Sequence, residues 1–288
     1  MAGAGSKEIK TRINSVESTK QITKAMQLVA SSKLRKAKER AESSRPYFTA
    51  LYSTIKDISQ GSKGIKDDFL KQREVKNRCY IVVAGDRGLA GGYNSNVLKA
   101  TVSHMEGKQE KIISIGKKAY EFFGKRGYDI LNSVESVEHC DYNNALEISN
   151  NVMDLYKKGE IDEVYMAYTE FVSPLVQNVK LIKVLPLAFE KEEAKSQEKS
   201  ARKGRVQYLP SAEAVLGYII PKYISGTIYG GVIESFASEN GARRTAMESA
   251  TDNADEMLSD LELKYNRARQ SAVTQEITEI VGGVEALK

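Results

Sequence analysis

The sequence predicts an α/β fold, in which a mostly parallel sheet with crossover helices is combined with an antiparallel two-helix coiled coil formed by the N- and C-terminal helices. Apolar runs alternate with helical stretches between residues 79 and 185, as βαβ units do. No proline follows Pro221. Residues 1–45 hold eleven Lys or Arg against four Asp or Glu, and residues 207–288 hold seven against twelve. Opposite charge at the two ends indicates that the ends meet.

The first segment, residues 7–59, is predicted to be one helix. Ser6 is the expected N-cap, and Pro46 is expected to kink the helix or to mark its weakest point. Apolar residues recur at steps of three and four, which is the narrow interface of a coiled coil. The interface positions predicted in this way are Ile9, Ile13, Val16, Ile22, Met26 and Val29.

The middle of the chain carries the predicted sheet. Strands are expected at 79–84, 111–115, 128–130, 164–168 and 176–185, with helices at 94–106, 116–126 and 142–158. Residues 190–205 contain almost no apolar residue, and we expect a mobile loop there. The sequence therefore divides into a coiled-coil helix at 1–60, an α/β domain at 75–190 and a second coiled-coil helix at 207–288.

The last segment is predicted to be a helix that needs a partner. If the run after Pro221 is helical throughout, it is roughly 100 Å long, more than the diameter of any domain this chain can build. A stripe of small residues allows close approach of a second helix, at Ala242, Ala246, Ala250 and Ala254. A coiled-coil interface is predicted further on, at Val273, Ile277, Ile280, Val284 and Leu287.

Four glycines are expected to weaken the first half of that helix. A helical glycine costs about 1 kcal/mol relative to alanine. A bend or break is therefore expected near Gly226, Gly230, Gly231 and Gly241.

A glycine-rich turn, AGDRGLAGGYN at residues 84–94, follows the first strand and raises the question of a nucleotide site. A P-loop needs a lysine for the phosphates and a hydroxyl for magnesium, and a dinucleotide fingerprint needs the spacing GxGxxG. Neither pattern fits glycines at 85, 88, 91 and 92. We therefore interpret the stretch as a structural turn or a partner-contact surface, with no cofactor.

Residues for chemistry are scarce. There are two histidines and two cysteines, and His139 and Cys140 are neighbours without metal-ligand spacing. We expect no catalytic residue, no metal site and reduced thiols at Cys79 and Cys140. No apolar run is long enough to span a membrane, and the N-terminus has no signal or transit character.

Two other functions compete with a structural role. A nucleotide-binding α/β protein with a coiled-coil arm requires the 84–94 turn to bind phosphate. A nucleic-acid binder would use the basic N-terminal helix. The acidic C-terminal segment explains that basic charge more simply, so no nucleic-acid partner is expected.

Four stretches together resemble the gamma subunit of F-type ATP synthases. They are STKQITKAMQLVASSKLRKA (18–37), GDRGLAGGYNSNV (85–97), ARRTAMESATDNADEM (242–257) and NRARQSAVTQEITEIVGG (266–283), and the match is collinear over essentially the whole length. Val284 stands where the family usually has alanine. Valine suits the interface position, so little functional consequence is expected.

The resemblance implies a rotor shaft that does no chemistry itself. In this family the two terminal helices stand as a coiled coil inside three alpha and three beta subunits. A Rossmann-like domain without nucleotide sits beside the epsilon subunit, on the c ring of the membrane. Proton or sodium flow turns the ring and the shaft drives the beta sites. The expected place is the cytoplasmic face of a bacterial cell membrane, peripheral to it, with one copy per complex.

The resemblance also assigns contact residues. Arg269 and Gln270 match the pair that binds a catch loop of a beta subunit, and Lys24 and Met26 lie in the matching N-terminal stretch. Basic residues expected to meet an acidic segment of a beta subunit are Lys33, Arg35, Lys36 and Lys38. Tyr208 matches a position at the foot near the c ring. The chloroplast type of thiol control is not expected, because the inserted cysteine pair is missing.

Overall fold

The chain forms two long terminal helices and a five-stranded sheet. The computed structural model describes residues 2–61, 67–71, 73–107, 109–187 and 208–286; the loop expected at 190–205 lies outside them. The elements in order are α1 (Ala2–Gly61), β1 (Arg78–Val83), α2 (Tyr93–His104), β2 (Lys111–Ile115), α3 (Lys117–Gly124), β3 (Asp129–Val134), α4 (Tyr142–Lys157), β4 (Glu163–Phe171), β5 (Gln177–Leu185) and α5 (Ala212–Ala286). The predicted α/β class, with a mostly parallel sheet and long terminal helices, is confirmed.

The sheet has the strand order β3-β2-β1-β4-β5. The first four strands are parallel neighbours, and β5 pairs antiparallel to β4. Strand β1 is central and is buried over Cys79–Val83. A parallel strand that is covered on both faces has a continuous run of apolar residues, and for this reason the strand could be predicted from the sequence.

Side chains alternate between two apolar cores, one on each face of the sheet. Tyr80 and Val82 pack with α2 and α3 through residues such as Val97 and Phe123. Ile81 and Val83 point to the other face. There they join α4 and a row of α5 residues spaced by four: Leu216, Ile220, Ile224, Ile228 and Val232.

The chain divides into two compact units. The terminal unit contains Met1–Ser32 and Arg243–Lys288, and the central unit contains Lys33–Ala242. Both long helices contribute to both units. The division into segments 1–60, 75–190 and 207–288 stays a prediction.

Two expectations about the long helices are wrong. Helix α1 already includes Ser6, so this residue is not its N-cap. Helix α5 runs without interruption from Ala212 to Ala286, through all four glycines, so the expected break does not occur, while a bend there stays a prediction. Tight contacts explain the persistence: a Cβ added at Gly226 lies 2.1 Å from the Phe48 ring, and one at Gly231 lies 2.4 Å from Met166 Cε. These glycines bring the helix backbone close to its neighbours, and the packing offsets their low helix propensity.

Candidate functional site

The terminal unit contains an antiparallel interface between α1 and α5. The Thr23 hydroxyl lies 2.8 Å from the Thr251 hydroxyl, and the Lys20 ammonium forms an ion pair with Asp255. Residue numbers that rise on one helix and fall on the other establish the antiparallel direction.

The buried positions of α1 in this unit keep steps of four and three, but two of them, Thr23 and Gln27, are polar. From Ile13 and Val16 the inward positions continue through Thr23, Gln27 and Ala30. Thr23 and Gln27 are 8% and 9% exposed, whereas the predicted interface residues Ile22 and Val29 are 60% and 55% exposed. The prediction for Ile22 and Val29 is therefore wrong. A continuous helix that has Ile13 and Val16 inward must also turn Thr23 inward, because the positions repeat every seven residues.

The predicted interface near the end of α5 is also wrong. Val273, Ile277 and Ile280 are 49%, 57% and 66% exposed. Because Thr251 lies opposite Thr23, the first residue of α1, Ala2, reaches only the level of about Ala272. Ile277 and Ile280 lie beyond that level, so they do not face the described residues of α1. The side chain of Val284 and all of Leu287 lie outside the described residues.

The glycine-rich turn is held by side chains of its own unit. The Gly85 N–H donates to Asn94 Oδ1 at 2.8 Å, and Asn94 Nδ2 donates to the Arg87 carbonyl at 3.1 Å. The Asp86 carboxylate accepts hydrogen bonds from the Ser136 hydroxyl at 2.8 Å and from the Val137 N–H at 3.1 Å. These bonds fix the connection from β1 into α2.

A carboxylate from α5 lies against the start of this turn. Glu239 is 4% exposed, and a Cβ added at Gly85 comes 2.7 Å from its Oε1. A phosphate placed here would meet this carboxyl group, whereas phosphate sites supply backbone N–H donors or a lysine. Nearby, the Tyr93 hydroxyl lies 2.9 Å from Ser235 Oγ, which accepts from the Thr169 N–H. The geometry therefore favours the structural interpretation of the turn over the nucleotide one.

The two thiols are buried and free. Burial raises the pKa of Cys79 to about 12 and that of Cys140 to about 11. Both thiols are therefore protonated and unreactive near neutral pH. Among the described residues, no group of three His, Cys, Asp or Glu is arranged to hold a metal ion.

Sequence reasoning missed a charged cluster at the amino end of β1. The Arg78 guanidinium lies 2.6 Å from Glu106 and 3.1 Å from Glu163, and Lys183 also binds Glu163. Burial raises the pKa of Glu163, but hydrogen bonds from Lys183 and Arg78 outweigh it and lower the pKa. The cluster joins β1, β4 and β5. The sequence could have indicated it, because Arg78 and Glu163 are charged residues at the first positions of two buried strands.

The contact residues assigned by resemblance lie on exposed parts of the helices. Arg269, Gln270 and Lys24 are exposed, and Met26 is half-buried. Arg269 lies nineteen residues from the level of Lys24 along the antiparallel interface, about 28 Å. The structure therefore does not gather them into one cluster, and their role in binding beta subunits stays a prediction.

The remaining assigned residues belong to the central unit. The Lys33 ammonium lies 2.6 Å from the Glu138 carboxylate, so any partner of Lys33 must compete with Glu138. Arg35 is 76% exposed and lies 4.0 Å from Glu39, and Lys36 is exposed. Lys38 Nζ lies 4.6 Å from the centre of the Phe171 ring. Tyr208 is half-buried against the apolar core, and its contact with a c ring also stays a prediction.

The fold and these surfaces define a class of protein: a chain with a terminal unit in which two long helices pair antiparallel and an α/β unit whose glycine-rich turn is held by side chains of its own unit. No helix among the described residues has the length and hydropathy needed to cross a membrane.

Comparison with known proteins identifies the family. Residues 5–287 match the family described as ATP synthase. The chain is 50% identical to the ATP synthase gamma chain of Alkaliphilus metalliredigens, over 99% of this chain and 100% of that one. It is 48% identical to the sodium ion specific gamma chain of Acetobacterium woodii, over 97% and 98%. The chain belongs to the ATP synthase gamma chain family, whose members are non-catalytic subunits.

A solved structure shares the fold at low sequence identity. The rotor of Euglena gracilis mitochondrial ATP synthase superposes with a TM-score of 0.65 at 20% identity, covering 94% of this chain and 99% of that one. The similarity shows that the two chains share a fold.

Proposed function

We propose that this chain is the central-stalk rotor subunit of a proton- or sodium-translocating F-type ATP synthase. It transmits rotation of the membrane c ring to the catalytic beta subunits and couples ion flow to ATP synthesis or hydrolysis. It also regulates the ATPase activity and the ion flow. The observation that carries the proposal is the full-length match to gamma chains. Its partners are three alpha and three beta subunits, epsilon and the c ring.

The mechanism follows from differential contact. Three equivalent beta sites acquire different affinities only if their common partner makes different contacts with each of them. A pair of helices has no threefold symmetry and meets this need. The exposed apolar side chains Ile22, Leu28 and Val29, together with Ile277 and Ile280, supply contact area on the terminal unit. The proposed place is the cytoplasmic face of the cell membrane.

Reconstitution tests the proposal. The purified chain is mixed with alpha and beta subunits, and the mixture is separated by size exclusion and assayed for ATP hydrolysis. One copy of the chain is expected in a hexamer-sized complex, with turnover confined to that complex. ATP hydrolysis by the chain alone, or its failure to join the complex, would contradict the proposal and favour the nucleotide-binding alternative.

A further inference from the structure

An open groove in the central unit lies between α1, α5 and the sheet. Its volume is about 310 Å³. Aromatic rings line it from three elements: Phe48 from α1, Tyr168 from β4 and Tyr223 from α5. Gly230 leaves part of the wall open, because a Cβ added there meets no side chain and no backbone outside its own helical turns within 4 Å.

The groove also carries a carboxylate, Glu234, whose ion pair with Arg45 is long and lies on an exposed side chain. Glu234 lines the groove, and the nearest Arg45 nitrogen is 3.9 Å from its Oε1, beyond hydrogen-bond distance. The Arg45 side chain is 74% exposed, against 27% for Glu234. A second carboxylate nearby, Glu170, is bound to Lys180 at 2.7 Å. Burial, and then the charge of Glu170, raise the pKa of Glu234.

We propose that this groove binds a small organic cation, an arylalkyl ammonium, with its ammonium on Glu234 and its apolar part against Phe48, Tyr168 and Tyr223. None of the residues that line the groove is among those assigned to contacts with beta subunits or the c ring.

The chemistry of the groove selects this class of ligand. Aromatic faces attract a cation, and the attraction grows when water is excluded. A half-buried carboxylate prefers a charge-assisted hydrogen bond to a distant guanidinium. An anion would be repelled by the Glu234 carboxylate. A neutral ligand would give that carboxylate no charge-assisted hydrogen bond to replace its long contact with Arg45. A primary ammonium on a short apolar stem satisfies both the rings and the carboxylate.

Calorimetric titration of the full-length chain with phenethylammonium tests the proposal, and 2-phenylethanol is the neutral control of the same shape. We expect binding of the ammonium with a Kd on the order of 1 mM or tighter. We expect the alcohol to bind at least about tenfold more weakly, since it lacks the charge-assisted hydrogen bond. Equal affinities for the two compounds, or no binding of the ammonium, would overturn the proposal.

Two variants locate the site. Glu234→Gln keeps the shape of the side chain and is expected to weaken phenethylammonium binding about tenfold or more. Gly230→Leu fills the open wall and is expected to abolish binding, while Gly217→Leu, at another open glycine of α5, leaves it unchanged. Circular dichroism verifies that each variant is folded. Undiminished binding in folded Glu234→Gln refutes the site, and so does undiminished binding in folded Gly230→Leu.

Discussion

The hydroxyl oxygens of Thr23 and Thr251 lie 2.8 Å apart across the interface between α1 and α5, where both residues are buried. Each oxygen also lies within hydrogen-bond distance of a backbone carbonyl, of Lys20 at 3.0 Å and of Met247 at 2.8 Å. Two hydroxyl protons serve three contacts, so one hydroxyl donates across the interface and the other donates to its own helix. The pair joins the two helices at a level where the interface is polar.

A double-mutant cycle measures this link. Thr23→Val and Thr251→Val are each expected to lower the free energy of unfolding by about 1 kcal/mol, because each leaves the remaining hydroxyl without its cross-helix partner. The double variant is expected to lose less than the sum, by about 0.5–1.5 kcal/mol. Urea unfolding of the free chain supplies the values. Strict additivity would mean that the two hydroxyls are not coupled.

Two glycines of α5, one helical turn apart, are expected to respond oppositely to alanine. Gly226→Ala places a methyl group 2.1 Å from the Phe48 ring and is expected to destabilise the chain by about 1–3 kcal/mol. Gly230→Ala meets open space and is expected to stabilise it by up to about 1 kcal/mol through helix propensity. Melting temperatures of the two variants give the signs. The same sign for both would contradict the packing at Gly226.

The ion pair between Lys33 and Glu138 is expected to make stability depend on pH in the acid range. The hydrogen bond from Lys33 holds the pKa of Glu138 below its ordinary value. A carboxyl with a depressed folded-state pKa contributes stability above its unfolded pKa and loses it as pH falls through the folded pKa. Lys33→Met is therefore expected to cost about 0.5 kcal/mol at pH 7 and nothing once Glu138 is protonated.

Denaturant unfolding at a series of pH values checks that expectation. Arg35→Met is the matched control, because Arg35 is more exposed and lies 4.0 Å from Glu39 on its own helix. Its effect is expected to be smaller at every pH. A Lys33→Met penalty that persists in acid would show that the loss comes from packing and not from the ion pair.

Arg269 is exposed on α5 and is expected to matter in the complex and not in the free chain. Arg269→Ala is expected to leave the free energy of unfolding within about 0.5 kcal/mol. In the assembled enzyme it is expected to lower coupled ATP hydrolysis and ion pumping roughly two- to tenfold, through loss of a charge-assisted hydrogen bond. Arg267→Ala is the control, since residues two apart face different sides of a helix. Unchanged pumping in assembled Arg269→Ala would contradict the assigned contact.

Ile277 is 57% exposed and lies beyond the level of Ala2, the first residue of α1. Ile277→Asp is therefore expected to leave the melting temperature of the free chain unchanged while reducing its incorporation into the complex with alpha and beta subunits. Thr278→Asp introduces the same charge on a neighbouring face and is the matched control. Gel filtration of the reconstituted mixture measures incorporation. Equal incorporation of both variants and the unmodified chain would mean that Ile277 is not a contact residue.

Much of the fold could be predicted from the sequence, because its strongest signals are local. The buried run at β1 and the alternation of strands and helices predicted the sheet and its class. The row from Leu216 to Val232 repeats every four residues, a spacing that is visible in the sequence but was not part of the prediction. Gly226 packs against Phe48 of another helix, and this packing offsets the low helix propensity of glycine. No local sequence pattern predicts such a contact.

The candidate contact surfaces were predictable only in part. The resemblance to gamma subunits located Arg269 and Gln270, and exposure of these residues agrees with a contact role without establishing it. The groove at Glu234 has no signal in the sequence. Its walls come from α1, β4 and α5, which lie far apart along the chain.

The sequence by itself determined that this chain has two long helices, a mostly parallel sheet and the family to which it belongs. Hydrophobic periodicity and short motifs depend only on residues that are close together in the sequence, so the sequence is enough to detect them. Only the tertiary structure decided that Thr23 faces the partner helix and that Ile22 faces outward. The reason is geometric: once Ile13 and Val16 set the inward side of a continuous helix, the seven-residue repeat decides what is buried next, whether or not that residue is apolar.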